Sequence, residues 1–301
     1  MEEKKSGFVT IVGKTNSGKS TLINTIIDQK IAIATHRKNT TRNQIRGIYT
    51  KDNLQIVFID TPGFLNKDKN TKLDIEMKKR IIQSLSGVDI ILFLIPFWEK
   101  LDKDYLEKIS LLNSKKNQIS SKKYCLISKI DLIKKSKNNN LYELVQSISQ
   151  LDFFDKIIPI SSLKGYNIDL LLDEIKKDLT DNIFYYDSKD QTGINDEFYI
   201  SEIIREKVLL FLNNEVPHNI FVKTITLERK KDLILIEAEI IVNRDSLKKI
   251  VIGRNGQKLK QIGEKARKNL EKYFKNEKIY LNLIVKVKKN WQNKESIIKD
   301  I

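Results

Sequence analysis

The chain has 301 residues, enough for two domains that each bury a core, and its 55 Lys and Arg against 39 Asp and Glu give a formal charge of +16. That balance favours a polyanionic partner, nucleic acid or an anionic membrane surface, although a chain this rich in Lys and Asn spreads part of the excess over its solvated face. The single cysteine, Cys125, excludes an internal disulfide. No apolar run approaches the roughly 20 residues of a membrane span, because Val88–Trp98 is interrupted by Asp89 and Pro96. The charged start Met1–Ser6, followed by a short apolar run, does not suit a signal peptide, so a cytoplasmic setting is expected.

In chain order, a predicted strand over Phe8–Val12 runs into Gly13-Lys14-Thr15-Asn16-Ser17-Gly18-Lys19-Ser20. Thr21–Ile27 follows with apolar residues at helical spacing. Strand, glycine-bounded loop and helix start are the context in which G-x-x-x-x-G-K-[ST] cradles phosphates with backbone N–H groups and a helix dipole. Lys19 would reach the outer phosphates, and the Ser20 hydroxyl would bind a bridging Mg2+. The polar stretch Lys38–Asn43 reads as a loop that swings a threonine onto the metal when a third phosphate is present, with Thr41 favoured over Thr40.

The next strand, Leu54–Ile59, delivers Asp60-Thr61-Pro62-Gly63 at its carboxyl end, where open parallel sheets hold their ligands. Asp60 would hold the metal through water, and the Gly63 N–H would touch the outermost phosphate. After a buried strand over Asp89–Ile95, Lys123–Ile127 ends in Ser128-Lys129-Ile130-Asp131. A carboxylate there can accept two N–H groups from a guanine edge, a pair that adenine lacks, while the Lys129 stem packs across the ring. Lys156–Ile160 ends in Ser161-Ser162-Leu163-Lys164-Gly165, whose backbone N–H groups would meet the guanine O6. The reading is an α/β P-loop domain with a mostly parallel sheet over residues 1–180, closed by a helix at Asn167–Leu179.

Residues 181–198 read as a linker and residues 199–301 as a smaller α+β domain. Its predicted elements are a helix Tyr199–Leu212, a hairpin of Asn219–Leu227 with Leu233–Val242, a short helix Ser246–Ile252, a helix Gln257–Phe274 and a strand Ile279–Val287. Between the last two helices stands Gly253-Arg254-Asn255-Gly256, where the missing Cβ atoms let backbone approach nucleotide phosphates. From Arg244 to Lys272 there are ten Lys or Arg and three acids, so positive charge concentrates at that loop. Ile252, Gly253, Arg254, Asn255, Gly256, Lys258 and Lys260 are the candidate RNA contacts.

The four strand-end motifs resemble those of translation-factor-related small GTPases, and Val251–Gly263 resembles a KH domain of the bacterial type II form. A GTPase module followed by a KH domain is similar to bacterial ribosome-assembly GTPases, and the likeness extends through Ser201–Lys207 and Trp291. It implies GTP hydrolysis with Mg2+, binding of single-stranded RNA near the 3′ end of 16S ribosomal RNA, action in 30S subunit assembly, and loose association with the inner face of the cell membrane. A monomer is expected. The fourth motif reads Ser-Lys-Ile-Asp where the family has Asn-Lys-x-Asp; the missing amide at Ser128 is expected to loosen its tie to the phosphate loop and lower guanine affinity. Phe64 stands where Ras-like proteins carry a water-orienting glutamine, so unaided turnover is expected to be slow. Asn16 either shapes its loop or, by resemblance, helps hold a K+ ion that assists hydrolysis. The rival readings are an RNA-binding protein with structural nucleotide and vestigial turnover, and another ribosome-associated GTPase.

Overall fold

The computed structural model describes residues 3–32, 45–64, 71–112, 121–135, 141–187, 190, 192–193, 195–212 and 220–298. The expected loop Lys38–Asn43, with its candidate Thr41, lies outside the described residues. The described residues form two compact units, the second made of residues 71–75 together with those that follow Gly193.

The first unit is built on a six-stranded sheet of β1 (Lys5–Gly13), β2 (Ile45–Lys51), β3 (Leu54–Asp60), β4 (Ile90–Pro96), β5 (Lys122–Ser128) and β6 (Lys156–Pro159), ordered β2-β3-β1-β4-β5-β6. Every neighbouring pair is parallel except β2 with β3. All seven residues of β4 are buried, as a strand covered on both faces requires. Helices α1 (Lys19–Ile27), α2 (Lys72–Ser84), α3 (Lys103–Leu112) and α4 (Leu141–Ser149) lie between successive strands, and α5 (Ile168–Asp178) follows β6.

Four of these elements, β2, α2, α3 and α4, lie beyond the sequence reading. α3 buries Tyr105, Lys108, Ile109 and Leu112, a single stripe in which a lysine interrupts the apolar signal. β2 carries Gly47, where a Cβ would come within 2.3 Å of Ile27 Cδ1 and 2.5 Å of Ile31 Cδ1. Close approach of helix and strand thus needs the residue type that weakens a strand signal.

After α5, where a linker was expected, the described residues 181–187, 190 and 192–193 belong to the first unit. Ser6 N donates to Asp181 O at 2.8 Å, and the buried Gln55 accepts from Tyr185 N at 2.7 Å through Oε1 and donates to Tyr186 O at 3.0 Å through Nε2. The Phe8 and Tyr185 rings lie 4.8 Å apart. A polar residue inside β3 is satisfied by backbone of the later segment, which is why composition alone reads that segment as a connection.

The second unit follows the order α6 (Asp196–Phe211), β7 (Ile220–Lys230), β8 (Leu233–Val242), α7 (Asp245–Ile252), α8 (Gln257–Tyr273), β9 (Ile279–Val287) and α9 (Glu295–Ile298). β7 pairs antiparallel with β8, and β8 pairs parallel with β9. Asn195 caps α6 through its side chain, accepting from Phe198 N at 2.9 Å, so the helix begins ahead of the expected Tyr199. Ile203, Ile204 and Val208 of α6, Ile236 and Ile240 of β8, and Ile262, Ala266 and Leu270 of α8 share one core.

Candidate functional site

The carboxyl ends of β1, β3, β5 and β6 each deliver one of the predicted motifs to the same edge of the first sheet. In the loop after β1, Gly13 has φ 153° and Gly18 has φ 105°. A Cβ at Gly13 would lie 2.7 Å from Leu94 O, whereas one at Gly18 would meet nothing within 4 Å. The first glycine lets the loop pack on β4, and the second leaves open the side where a ligand approaches.

Lys19 is buried in this loop, its ammonium donating to Gly13 O at 3.1 Å and Lys14 O at 2.9 Å. Burial pushes its pKa down to about 8; Asp60 pulls it up and Lys129 adds to the fall. Ser20 Oγ donates to Asp60 Oδ2 at 2.8 Å, which brings together a hydroxyl and a carboxylate from two motifs. Two hard oxygen donors on one point fit Mg2+, which Ser20 and Asp60 would hold.

The Asp60–Gly63 turn lies directly under the phosphate loop. Thr61 Oγ1 donates to Ile11 O at 2.8 Å, and Phe64 N donates to Gly13 O at 3.1 Å. A Cβ at Gly63 would lie 2.8 Å from Thr15 Cα and 2.9 Å from Thr15 N, so only glycine admits this approach. Thr61 and Pro62 are buried in this turn. Phe64 is buried against Phe93, 6.3 Å away, and has no means to orient water.

At the end of β5 the expectation for Ser128 is corrected. Its Oγ donates to Ser17 O at 2.7 Å, so a shorter side chain makes the tie for which an amide was thought necessary. Lys129 has φ 64°, and its ammonium donates to Asn16 O at 2.6 Å, with Asn16 Oδ1 at 3.4 Å. Asp131 Oδ1 accepts from Ser161 Oγ at 2.6 Å. Ser161 therefore aims the carboxylate, a role beyond the backbone contact expected of it. Ser162 O accepts from Thr25 Oγ1 of α1 at 3.0 Å, which fixes the last loop, while Leu163 is well exposed. Lys14 belongs to the loop by backbone only, since its side chain leaves toward Asp104, 2.9 Å away.

In the second unit, Gly253 has φ 73° and Gly256 φ 75°. A Cβ at Gly253 would strike Lys258 Cβ at 2.7 Å, whereas Gly256 faces open space. Asn255, also left-handed at φ 49°, completes a tight turn into α8, whose first turn carries no acid. Arg254, Asn255 and Lys260 are exposed; Ile252 packs partly against the core, and the body of Lys258 fills the turn. A cavity of about 500 Å3 continues from Gly256 between α8 and β9, lined by Leu259, Lys260, Gly263, Arg267, Tyr280 and Leu283 among others. Gly263 closes the run that carries the KH resemblance, while Arg267, Tyr280 and Leu283 are not among the expected RNA contacts. Their signal is the small and basic stripe Gly256, Lys260, Gly263, Arg267 at helical spacing, facing an exposed tyrosine.

Residues 8–129 match the family model described as 50S ribosome-binding GTPase, and residues 215–292 match the KH domain model. The chain is 40% identical over 302 residues to GTPase Era of Staphylococcus epidermidis, covering 100% of this chain and 98% of that one. The chain belongs to the Era family of GTPases. Two solved Era structures are similar over 98% of both chains with TM-scores of 0.91. One, from Aquifex aeolicus and 34% identical, is a variant bound to GDP.AlF4-. The other, 33% identical, is a complex with MgGDPNP and nucleotides 1506–1542 of 16S ribosomal RNA.

As an Era-family GTPase, the chain hydrolyses GTP with a P-loop domain on a mostly parallel sheet and carries a C-terminal KH domain. The first family model spans the phosphate loop, the Asp60 turn and the start of the base loop, and the second spans the Gly253–Gly256 turn and its groove.

Proposed function

We propose that this Era-family GTPase binds a single strand of 16S ribosomal RNA near its 3′ end and acts in assembly of the 30S subunit, with GTP and Mg2+ at the first unit. The observation that carries the reading is the Gly253–Gly256 turn: a basic turn, closed by Lys258 at Gly253 and open at Gly256, that leads into a groove large enough for unstacked bases. Phosphates would lie against Gly256 and the start of α8, while Leu259, Gly263 and Tyr280 line the wall available to base faces. The match to an Era captured with 16S RNA supports the same polymer here. The larger-subunit wording of the GTPase model covers residues 8–129 only, and the RNA unit sets the partner.

At the nucleotide, Asp131 takes the guanine edge, Lys19 neutralises the outer phosphates, and the backbone N–H groups of Thr15–Ser20 supply the oxyanion contacts. Mg2+ held by Ser20 and Asp60 would supply charge neutralisation at the phosphates. With Phe64 turned into the core, hydrolysis is slow unaided. Asn16 is exposed, and its Oδ1 lies 3.4 Å from the Lys129 ammonium, so a monovalent cation held there would share or displace that contact; turnover higher in K+ than in Na+ at equal ionic strength supports that role, and equal turnover assigns Asn16 to loop shape alone. The basic surface also suits loose contact with an anionic membrane, and among the described residues no helix is long and apolar enough to cross one.

The test titrates the full chain with RNA of nucleotides 1506–1542 in a GTP analogue and in GDP. Gly256→Asp is the preferred RNA-site variant: aspartate tolerates the left-handed backbone, the site has room, and the new carboxylate repels phosphate. Gly253→Asp would instead collide with Lys258 and confound the result with local unfolding. Loss of RNA binding with GTP turnover retained is expected, and turnover is expected to vanish in Lys19→Ala. RNA affinity unchanged in Gly256→Asp would place the RNA elsewhere.

A further inference from the structure

Between β4 and α3 the chain runs Phe97-Trp98-Glu99-Lys100-Leu101-Asp102, a stretch with no part in any of the four nucleotide motifs. Two lysines from different motifs nevertheless end on it or on the first turn of α3. Lys14 of the phosphate loop has its ammonium 2.9 Å from Asp104 and 3.8 Å from both Glu99 and Asp102, over the Tyr105 ring at 3.5 Å from the centroid. Lys129 of the base loop has its ammonium 5.1 Å from the centroid of Trp98. Trp98 is itself anchored edge-on against the fully buried Phe97, ring centroids 5.1 Å apart, and is 38% exposed. One side of the indole is fixed and another faces the lysine.

Lys129 needs such a partner. Its backbone is left-handed, and its long stem must lie along a base face that the chain itself does not supply. A lysine side chain carries about 2 kcal/mol of rotamer entropy, which is lost on binding unless its head is already held. Asn16 O holds the ammonium at one point, at 2.6 Å, and the Trp98 ring supplies a second. The lysine is half-buried, a setting in which an ammonium over an indole is worth more than at an exposed surface. Glu99 and Asp131 both favour its charged form against burial.

We infer that Trp98 is a positioning residue for guanine recognition: its ring holds the Lys129 ammonium so that the lysine stem is laid across the base whose edge Asp131 takes. The acidic run after it holds Lys14 aside in the same way, so that the β4–α3 connection braces the phosphate loop and the base loop together. The Trp98 ring meets Phe97 and Lys129, so its expected influence is on the base through Lys129.

The test measures affinity of the full chain for GDP and for magnesium tripolyphosphate, which has no base, by calorimetry or competition. Trp98→Ala is expected to weaken GDP by roughly three- to thirty-fold, the range of a cation–π contact, with tripolyphosphate unchanged. Trp98→Phe, which keeps a ring, is expected to recover most of the loss. In a Lys129→Met background, Trp98→Ala is expected to cost nothing further, an outcome that a merely structural tryptophan would not give. GDP affinity unchanged in Trp98→Ala, an equal loss of both ligands, or a full additional loss in the Lys129→Met background would each overturn the assignment.

Discussion

Lys19 shows how a single buried charge couples nucleotide binding to pH. Its pKa in the ligand-free loop is pushed down to about 8, chiefly by burial, from an ordinary value of 10.5. Phosphates in the loop favour the charged form. Below pH 8 the lysine is already protonated, and GDP affinity is expected to be flat. Above it, binding must draw a proton from solvent, so affinity falls with a limiting slope of about tenfold per pH unit. Calorimetry of GDP binding from about pH 7 to about pH 9, in buffers of different ionisation enthalpy, reads both the fall and the proton taken up. Fold stability carries the opposite sign. Between about 8 and 10.5 the unfolded lysine holds its proton while the folded one has lost it, so Lys19 makes the nucleotide-free chain more stable as pH rises through that window. Lys19→Met is expected to flatten both slopes, and an affinity profile already flat in the native chain would show that the lysine rests charged.

At the scale of elements, the strand ends were legible because chemistry concentrates there: each motif combines a glycine or a carboxylate with a preceding apolar run, and the sheet brings all four to one edge. The supporting elements were harder to read. β2 hides behind Gly47 and the Tyr185–Tyr186 segment behind its polar composition, since each meets a packing or hydrogen-bonding need set by residues distant in the chain, while α3 hides behind Lys108, a buried lysine paired within its own helix with Asp104. Ser128 shows the same limit at one position: its motif predicted a lost tie, while its distance to Ser17 O could be known only from the fold. The KH turn was legible as a glycine-bounded turn between two helices, but its groove joins α8 to a strand that begins at Ile279 and could not be assembled from spacing. Gly63 tests how tightly β3 and the phosphate loop are joined. Gly63→Ala puts a methyl against the backbone of Thr15, which cannot rotate aside, so the loop or the turn must shift. Displacement of this size is expected to lower GTP turnover on the order of a hundred-fold. Single-turnover hydrolysis alongside a thermal melt separates this from unfolding, because a melting point near that of the native chain with fast turnover would mean the junction is looser than its geometry.

For the molecule as a whole, the +16 charge matters differently to its two anionic ligands. At the nucleotide site the phosphate-loop lysine, Lys19, is 5% exposed and Lys129 of the base loop is half-buried. Short-range contacts there are screened little by salt. The KH turn presents Arg254, Lys260 and its neighbours to solvent, and a G-x-x-G loop clamps about four nucleotides of backbone. Release of counterions from a single strand gives a slope near −0.7 per phosphate neutralised, so four contacts predict a slope of about −3. Raising salt fourfold, from about 0.1 M to about 0.4 M, should weaken RNA binding by about fifty-fold, while GDP affinity in the same series changes by less than about threefold. The two titrations use one preparation of the chain and differ only in the ligand. A shallow RNA slope would mean that bases in the groove, stacked on Tyr280 and Leu259, dominate over phosphate at the turn. An equally steep GDP slope would mean that the overall field of the chain, spread by its lysine-rich composition, governs both sites, and that the local concentration of charge from Arg244 to Lys272 has no special part in holding RNA.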